Sequence, residues 1–597
     1  MEKKDFGLYS VFILIIASAF FLRLYHLDER VFHHDEAAVG YFTYKLFNDN
    51  VYSYDPAFHG PFIYYATAEM FRRLGDTIYS ARLLPALLGA SIIFFLIPLR
   101  KYIGKTGLVI SAFFFAFSPS FLYYSRFYRE DIFISFFTLL MLVCVIKYAE
   151  KYIDVRRSII KVSHLLLGTL LLISAVVFYT ILPASSAAIK ENAINAIFLA
   201  LIILLLLLLA TLILIKYGEK HIEYGYSIFR PFYLFLAGVS LASMAALKEN
   251  AYIAMGLILL FLFLFFIRER WYSGLFSKIR KLDKKVLIVA GEGVFFIIVV
   301  LVVYSLFYTG KVFDLYGMKV AFIKAVSHWV EMHRIERIGG PMYFYLPIMA
   351  LYELPVFVFG FAGIIHYYKK NDILMTFLGY WTITNLIIYS YLQEKVPWLI
   401  LNPLLPLVII AGAYLGELLP RLRFDTRVGA FVIIFLVASS SYSVYSSMFL
   451  NYYDYTNPAE PLIQAAQPPQ KYSLFISKIS EISRQYSNQS TEIQVTDPEM
   501  ETQFLWYLRH YGNVRWKVSI NSELNAPLIV VHDSDGNESD ATVVKRHLRT
   551  DYERLDSAKM SWYWFQPSDV TPGYLLTRKM DRAPGEYRIV LFYKPKK

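Results

Sequence analysis

Residues 8–36 read LYSVFILIIASAFFLRLYHLDERVFHHDE. The first part, Leu8 to Tyr25, is apolar enough to enter a bilayer and close to the ~20 residues a spanning helix needs. At its edge stand His33-His34-Asp35-Glu36. A charge at membrane depth costs on the order of several kcal/mol, so a carboxylate pair placed there calls for a use. The next residues are polar in an unusual way: Tyr54-Asp55-Pro56, then His59-Gly60-Pro61, then Tyr64-Tyr65. Together they suggest a reaction centre at the membrane surface.

The rest of the chain sets the class. Hydrophobic residues make up 57% and charged residues only 18%, against about a quarter charged in soluble domains. Apolar runs near 8–25, 79–99, 106–123, 131–148, 162–183, 193–216, 231–247, 251–267, 286–308, 343–366, 373–391, 398–418 and 428–448 predict about thirteen spanning helices. The first run is too long, and lacks a small-residue cleavage site, to be a removable signal peptide. The net charge of +12 is crowded into loops, notably Arg268 to Lys285 and Arg421 to Arg427, which indicates topology rather than nucleic-acid binding. The single Cys144 allows no internal disulfide and no cysteine-cluster metal site.

The positive-inside rule puts the N-terminus in the cytoplasm. An odd span count then puts the C-terminal region outside, as expected for a multi-pass protein of the cell membrane. The expected division is a transmembrane domain over 1–450, whose first outer loop (26–78) carries the acid pair, and a soluble extracytoplasmic α/β domain over 451–597. In that first loop, Ala37 to Phe47 and Phe62 to Leu74 read as short amphipathic helices lying along the membrane. Past the Pro-rich stretch 457–470, helices are expected near 471–487 and 499–511, and strands at Glu492 to Thr496, Leu528 to His532 and Tyr587 to Tyr593.

Five tight groups of charge fall on the same predicted face: Asp35-Glu36, His59, Arg126 to Asp131, Lys248-Glu249-Asn250, and Glu394-Lys395-Val396-Pro397-Trp398. That coincidence carries more weight than any one motif, because isolated charges at helix ends often only mark the interface. An acid pair in the first outer loop resembles the GT-C glycosyltransferases, with likeness to the protein O-mannosyltransferases and the lipid A aminoarabinose transferase. More closely, His33 to Ala37, Tyr54 to Pro61, Arg126 to Ile132, Lys248 to Asn250, Glu394 to Leu399 and Trp506 to Arg509 resemble a largely archaeal, also bacterial, family of flippase-activity-associated glycosyltransferase-like proteins.

The resemblance implies a polytopic α-helical GT-C fold. It also implies a hexosyltransferase moving sugar from a polyprenyl or dolichyl phosphate to an acceptor hydroxyl on protein, lipid or glycan, at the cell envelope and with inversion. Asp35 is the expected general base, with Glu36 and Asp131 as its catalytic companions. Lys395 and Arg126, backed by Lys248 and His59, are expected to hold the donor phosphate. His34, Asp55, Glu394, Trp398 and Glu249 would orient the substrate. Asp35 and Asp131 are also the carboxylates that would hold a divalent cation, Mg²⁺ or Mn²⁺, should the reaction use one; the residues do not require it. The alternative is a non-catalytic flippase, or a membrane protein that assists one, since buried charges line lipid transporters too.

Overall fold

The computed structural model describes residues 3–150, 229–268, 284–332, 340–392, 395–423, 425–463, 467–496, 498–534, 540–548, 551–563 and 565–596. The predicted spans 162–183 and 193–216, and Glu394, lie outside these. The chain is a mostly helical, multi-pass membrane protein with a small α/β unit at its C-terminal end.

Among the described residues, seven helices are long and apolar enough to cross a membrane, or eight if the bent pair Tyr345–Tyr352 and Leu354–Lys370 is one span. Two of the thirteen predicted spans lie outside the described residues, and the others missing from this count have local causes. The runs 79–99 and 106–123 form one apolar segment of 40 residues, Ile78–Phe117. It is broken at Gly104, whose φ of 74° and ψ of 168° are not helical, so the stretch holds two helices, as the two runs predict. The helix over 231–247 is only 17 residues long, Phe229–Ala245, and the apolar part of the next is Asn250–Phe265. The bent pair turns by 114° around Glu353, whose Oε1 accepts from Ser118 Oγ at 2.6 Å and the Ser120 amide at 3.0 Å. Helices Leu96–Phe117 and Leu401–Leu418 pack along Gly107, Ser111, Gly412 and Gly416, small residues that let backbones approach.

Four elements place the acid pair: α1 (Lys3–Leu24), α2 (His34–Asp49), α3 (Phe62–Leu74) and α4 (Ile78–Ser91). Helix α2 opens with a capping box in which histidine replaces the usual Ser or Thr. His33 Nδ1 accepts from the Asp35 amide at 3.2 Å, and Glu36 Oε2 accepts from the His33 amide at 3.0 Å. Asn50, left-handed at φ 54°, ends it. Asp35 and Glu36 thus occupy the first turn, where the helix dipole favours negative charge.

Among the described residues, the C-terminal sheet has six strands. Its strands are β1 (Ile493–Val495), β2 (Val514–Arg515), β3 (Leu528–Ser534), β4 (Glu553–Asp556), β5 (Met560–Trp562) and β6 (Gly585–Tyr593). Strand β1 runs parallel to β2 and β3, while β6 runs antiparallel to β3, β4 and β5. Alternation along β3 sends Leu528 and Val530 toward the helix Tyr472–Arg484, and Ile529 and Val531 toward Asp540–His547, so both faces are covered. Strands β2, β4 and β5 went unpredicted: β4 is Glu-Arg-Leu-Asp, with no apolar alternation to read.

This unit is joined to the membrane body through the Trp506-to-Arg509 motif. Trp506 is 2% exposed, with its ring centroid 4.9 Å from Phe32 and 5.9 Å from Phe71. Tyr507 Oη accepts from the Phe32 amide at 3.0 Å. Arg509 lies 3.7 Å over Trp506 and donates to Asp76 Oδ2 at 2.8 Å. Trp506→Ala is expected to cost about 3–5 kcal/mol and to loosen this junction. Faster limited proteolysis within 454–470 would report it, and a wild-type cleavage rate would contradict it.

Candidate active site

The two acids part company. Neighbours on a helix point about 100° apart, so Glu36 turns into the protein while Asp35 faces outward. Glu36 is 0% exposed. Arg82, from α4, grips it with two bonds, Nε to Oε1 at 2.7 Å and Nη2 to Oε2 at 2.6 Å. The Tyr128 amide donates to Oε1 at 2.8 Å, and Arg30 stands 3.6 Å from Oε2. Burial alone would raise the Glu36 carboxyl; Arg82, Arg30 and these bonds outweigh it and hold it below the usual range. Every lone-pair direction of Glu36 is occupied, so it braces the start of α2.

Asp35 keeps 27% of its side chain exposed and pairs through Oδ2 with Arg129 Nη1. His34 Nδ1 lies 3.3 Å from Oδ1. Burial would raise this carboxyl too, but the Arg129 guanidinium and the neighbouring histidines overcome that and hold it well below the carboxylate range.

Arg129 is the centre of the cluster. Its Nη2 is 3.3 Å from His59 Nε2, and its Nε is 3.8 Å from both Glu130 Oε2 and Asp131 Oδ2. Its guanidinium lies 4.0 Å over the Trp398 ring, a favourable cation–π placement. Asp131 opens the helix Asp131–Glu150 and receives Lys248 Nζ at 3.3 Å on Oδ1. His59 Nδ1 is 3.1 Å from Glu249 Oε2. A guanidinium can only donate, so Nε2 is the accepting nitrogen of His59 and Nδ1 carries the proton given to Glu249. The predicted residues Asp35, His59, Asp131, Lys248, Glu249 and Trp398 therefore belong to one connected set.

The loop that delivers His59 is seated by its neighbours. The Gly60 amide donates to Leu247 O and the Phe62 amide to Ala246 O, both at 3.0 Å. A Cβ on Gly60 would lie 2.1 Å from Ala246 O, inside any allowed contact. Gly60→Ala is expected to push this loop off the 246–249 turn and break the His59–Glu249 pair. A fall in transfer activity with the melting temperature nearly intact would be the sign; unchanged activity would refute it.

Other predicted residues sit differently. Arg126 Nη1 donates to Leu22 O, Arg23 O and Tyr25 O at 2.9, 3.1 and 2.7 Å, and its Nη2 to His26 O at 2.8 Å. It satisfies the open carbonyls at the end of α1. Lys395 Nζ does the same for the helix Ile373–Tyr391, donating to Tyr389 O at 3.4 Å, Ser390 O at 2.5 Å and Leu392 O. Asp55 is exposed and caps the turn Pro56–Phe58, accepting from the Ala57 amide at 2.9 Å. Two residues of the cluster, Arg129 and Glu130, fall in the charged group Arg126 to Asp131 that the sequence points to but had no role of their own there. Arg129 was legible only as part of the Arg126-to-Ile132 motif. Glu130 is 0% exposed, with neither carboxylate oxygen hydrogen-bonded.

The donor set between Asp35 and Asp131 does not fit a divalent ion. Each carboxylate already faces a fixed cation, Arg129 and Lys248 respectively. Among the described residues no group of three or more His, Cys, Asp or Glu side chains is placed so as to hold a metal ion.

No protein-family model matches the chain, and no curated protein matches it. Among solved structures, the oligosaccharyltransferase of Archaeoglobus fulgidus in the apo form aligns with TM-score 0.50 at 13% identity, covering 93% of this chain and 70% of that one. ArnT from Cupriavidus metallidurans bound to undecaprenyl phosphate aligns with TM-score 0.49 at 13% identity, covering 98% of each chain. The arabinofuranosyltransferase AftD from mycobacteria aligns with TM-score 0.45 at 12% identity, covering all of this chain and 40% of that one. The likeness to the Archaeoglobus fulgidus protein shows the fold of this chain, GT-C, and at that identity the fold alone.

Proposed function

We propose that this protein is a membrane glycosyltransferase that moves a sugar from a polyprenyl or dolichyl phosphate to an acceptor hydroxyl of a protein, lipid or glycan on the outer face of the membrane. The observation that carries the reading is Asp35: a partly open carboxylate paired with Arg129, at the edge of an otherwise buried cluster in which Lys248 pairs with Asp131. The neighbours' donor chemistry supports it, since ArnT is described with undecaprenyl phosphate and the Archaeoglobus fulgidus protein AglB with dolichol phosphate. The motifs from His33 to Ala37 and from Glu394 to Leu399 favour the flippase-activity-associated glycosyltransferase-like family as the narrower home.

In this reading the acceptor oxygen attacks the anomeric carbon and its proton passes to an Asp35 oxygen. The bond from that carbon to the phosphate oxygen breaks, its electron pair leaving with the lipid phosphate. The displacement is direct, so the anomeric centre inverts. Negative charge grows on the departing phosphate, and fixed cations in a dry site are the effective stabilisers of such charge. Arg129 and Lys248 take that role, while Arg126 and Lys395 hold the helix ends that frame it. Asp131 and Glu249 keep Lys248 and His59 in place.

The test is transfer of labelled sugar from a panel of polyprenyl-phosphate donors in membranes containing the full chain. Radiolabel reaching an acceptor is the expected result. No transfer from any donor, with lipid translocation detected in its place, would overturn the reading.

A further inference from the structure

We propose that Arg129 is a donor-operated switch on Asp35: it clasps the carboxylate in the resting protein and releases it when a lipid-linked phosphate takes its guanidinium edge. The proposal rests on the transferase reading above.

A guanidinium presents donors along three edges. The edge toward Asp35 is the one that a ligand can reach, because Asp35 is 27% exposed on its side chain against 11% for Arg129. Behind it, Nη2 meets His59 Nε2, and Nε faces Glu130 and Asp131. The Trp398 ring packs against the guanidinium, 4.0 Å from its carbon to the ring centroid. Arg126 and Lys395 are committed to main-chain carbonyls, and Lys248 to Asp131.

Four acids surround the site, Asp35, Glu130, Asp131 and Glu249, against Arg129 and Lys248. A phosphate carrying further negative charge cannot settle beside Asp35 unless it shares or takes the cation that Asp35 holds. Phosphate oxygens match the planar fork of arginine with two parallel bonds, so they compete well for it. A carboxylate locked to arginine is a poor proton acceptor; once released beside the bound donor it is a competent one. The exchange would arm the base only when donor is present, and would favour donor before acceptor in the order of binding.

The competition gives an unusual sign. Removing the charge of Asp35 should disable transfer yet improve phosphate binding. Undecaprenyl phosphate titrated into the purified full-length protein in detergent, followed by intrinsic tryptophan fluorescence, measures this. Asp35→Asn is expected to bind about tenfold tighter, about 1.4 kcal/mol. Arg129→Gln should bind about tenfold weaker, with Arg129→Lys between it and wild type. The double variant Asp35→Asn/Arg129→Gln should gain nothing over Arg129→Gln. In the transfer assay Arg129→Lys should raise the donor KM by a larger factor than it lowers kcat. Unchanged or weaker binding by Asp35→Asn overturns the switch even where wild-type transfer is present. The expected binding pattern with no transfer from any donor leaves the phosphate switch standing and removes the transferase reading instead.

Discussion

Asp35→Asn is expected to lower sugar transfer by about 10²- to 10⁴-fold, the range a positioned general base supplies, while the protein still folds and inserts. Asparagine keeps the shape of the side chain but cannot take a proton. The site tolerates the change structurally because Asp35 lies at the rim, and its amide still bonds to His33 Nδ1, so the cap of α2 survives. Glu36, one residue on, carries the architecture. The measurement is initial transfer rate at matched protein level in membranes. Near-wild-type transfer would remove Asp35 from the chemistry, and with it the central claim about this site.

Much of this was legible in residues 8–36 and the matching charged turns, because burying charge beside a membrane is expensive wherever it happens. The sequence could not show how the charges divide. Asp35 and Glu36 look equivalent in one dimension, yet one helical step sends the second into the clasp of Arg82. Arg126 and Arg129 lie three residues apart, and only the tertiary course of α1 decides which meets main-chain carbonyls and which meets Asp35. For Lys395, expected to hold the donor phosphate, the helix end that it caps is invisible in a string of residues. The two apolar runs on either side of Gly104 are legible as separate helices, because the glycine's non-helical backbone breaks the stretch where the sequence does. Strand β4 was missed since it carries three charges in four residues, and its place in the sheet comes from pairing with β6 alone.

The second large effect concerns stability. Arg82 and Glu36 are 1% and 0% exposed, and removing one partner of such a pair leaves a buried charge uncompensated, at about 3–5 kcal/mol. Arg82→Met is expected to fall in this range, since the lost guanidinium also donates to Arg30 O at 2.7 Å and Leu27 O at 3.2 Å. Glu36→Leu should be comparable, because it strips the acceptor from Arg82, from the Tyr128 amide and from the His33 amide at once. Thermal unfolding in detergent, followed by loss of the monodisperse peak, reports both. The double variant Glu36→Leu/Arg82→Met removes both charges together and should recover part of the loss, since well-packed apolar replacements of a buried pair are often tolerated. Its activity then separates two roles that the singles confound. If Glu36 serves only to hold the first turn of α2, and so the position of Asp35, then a double variant that folds should retain measurable transfer with a lowered kcat. A folded double variant as inactive as Asp35→Asn would instead give Glu36 a part in the chemistry, and singles that melt like wild type would show that the clasp does not hold the fold.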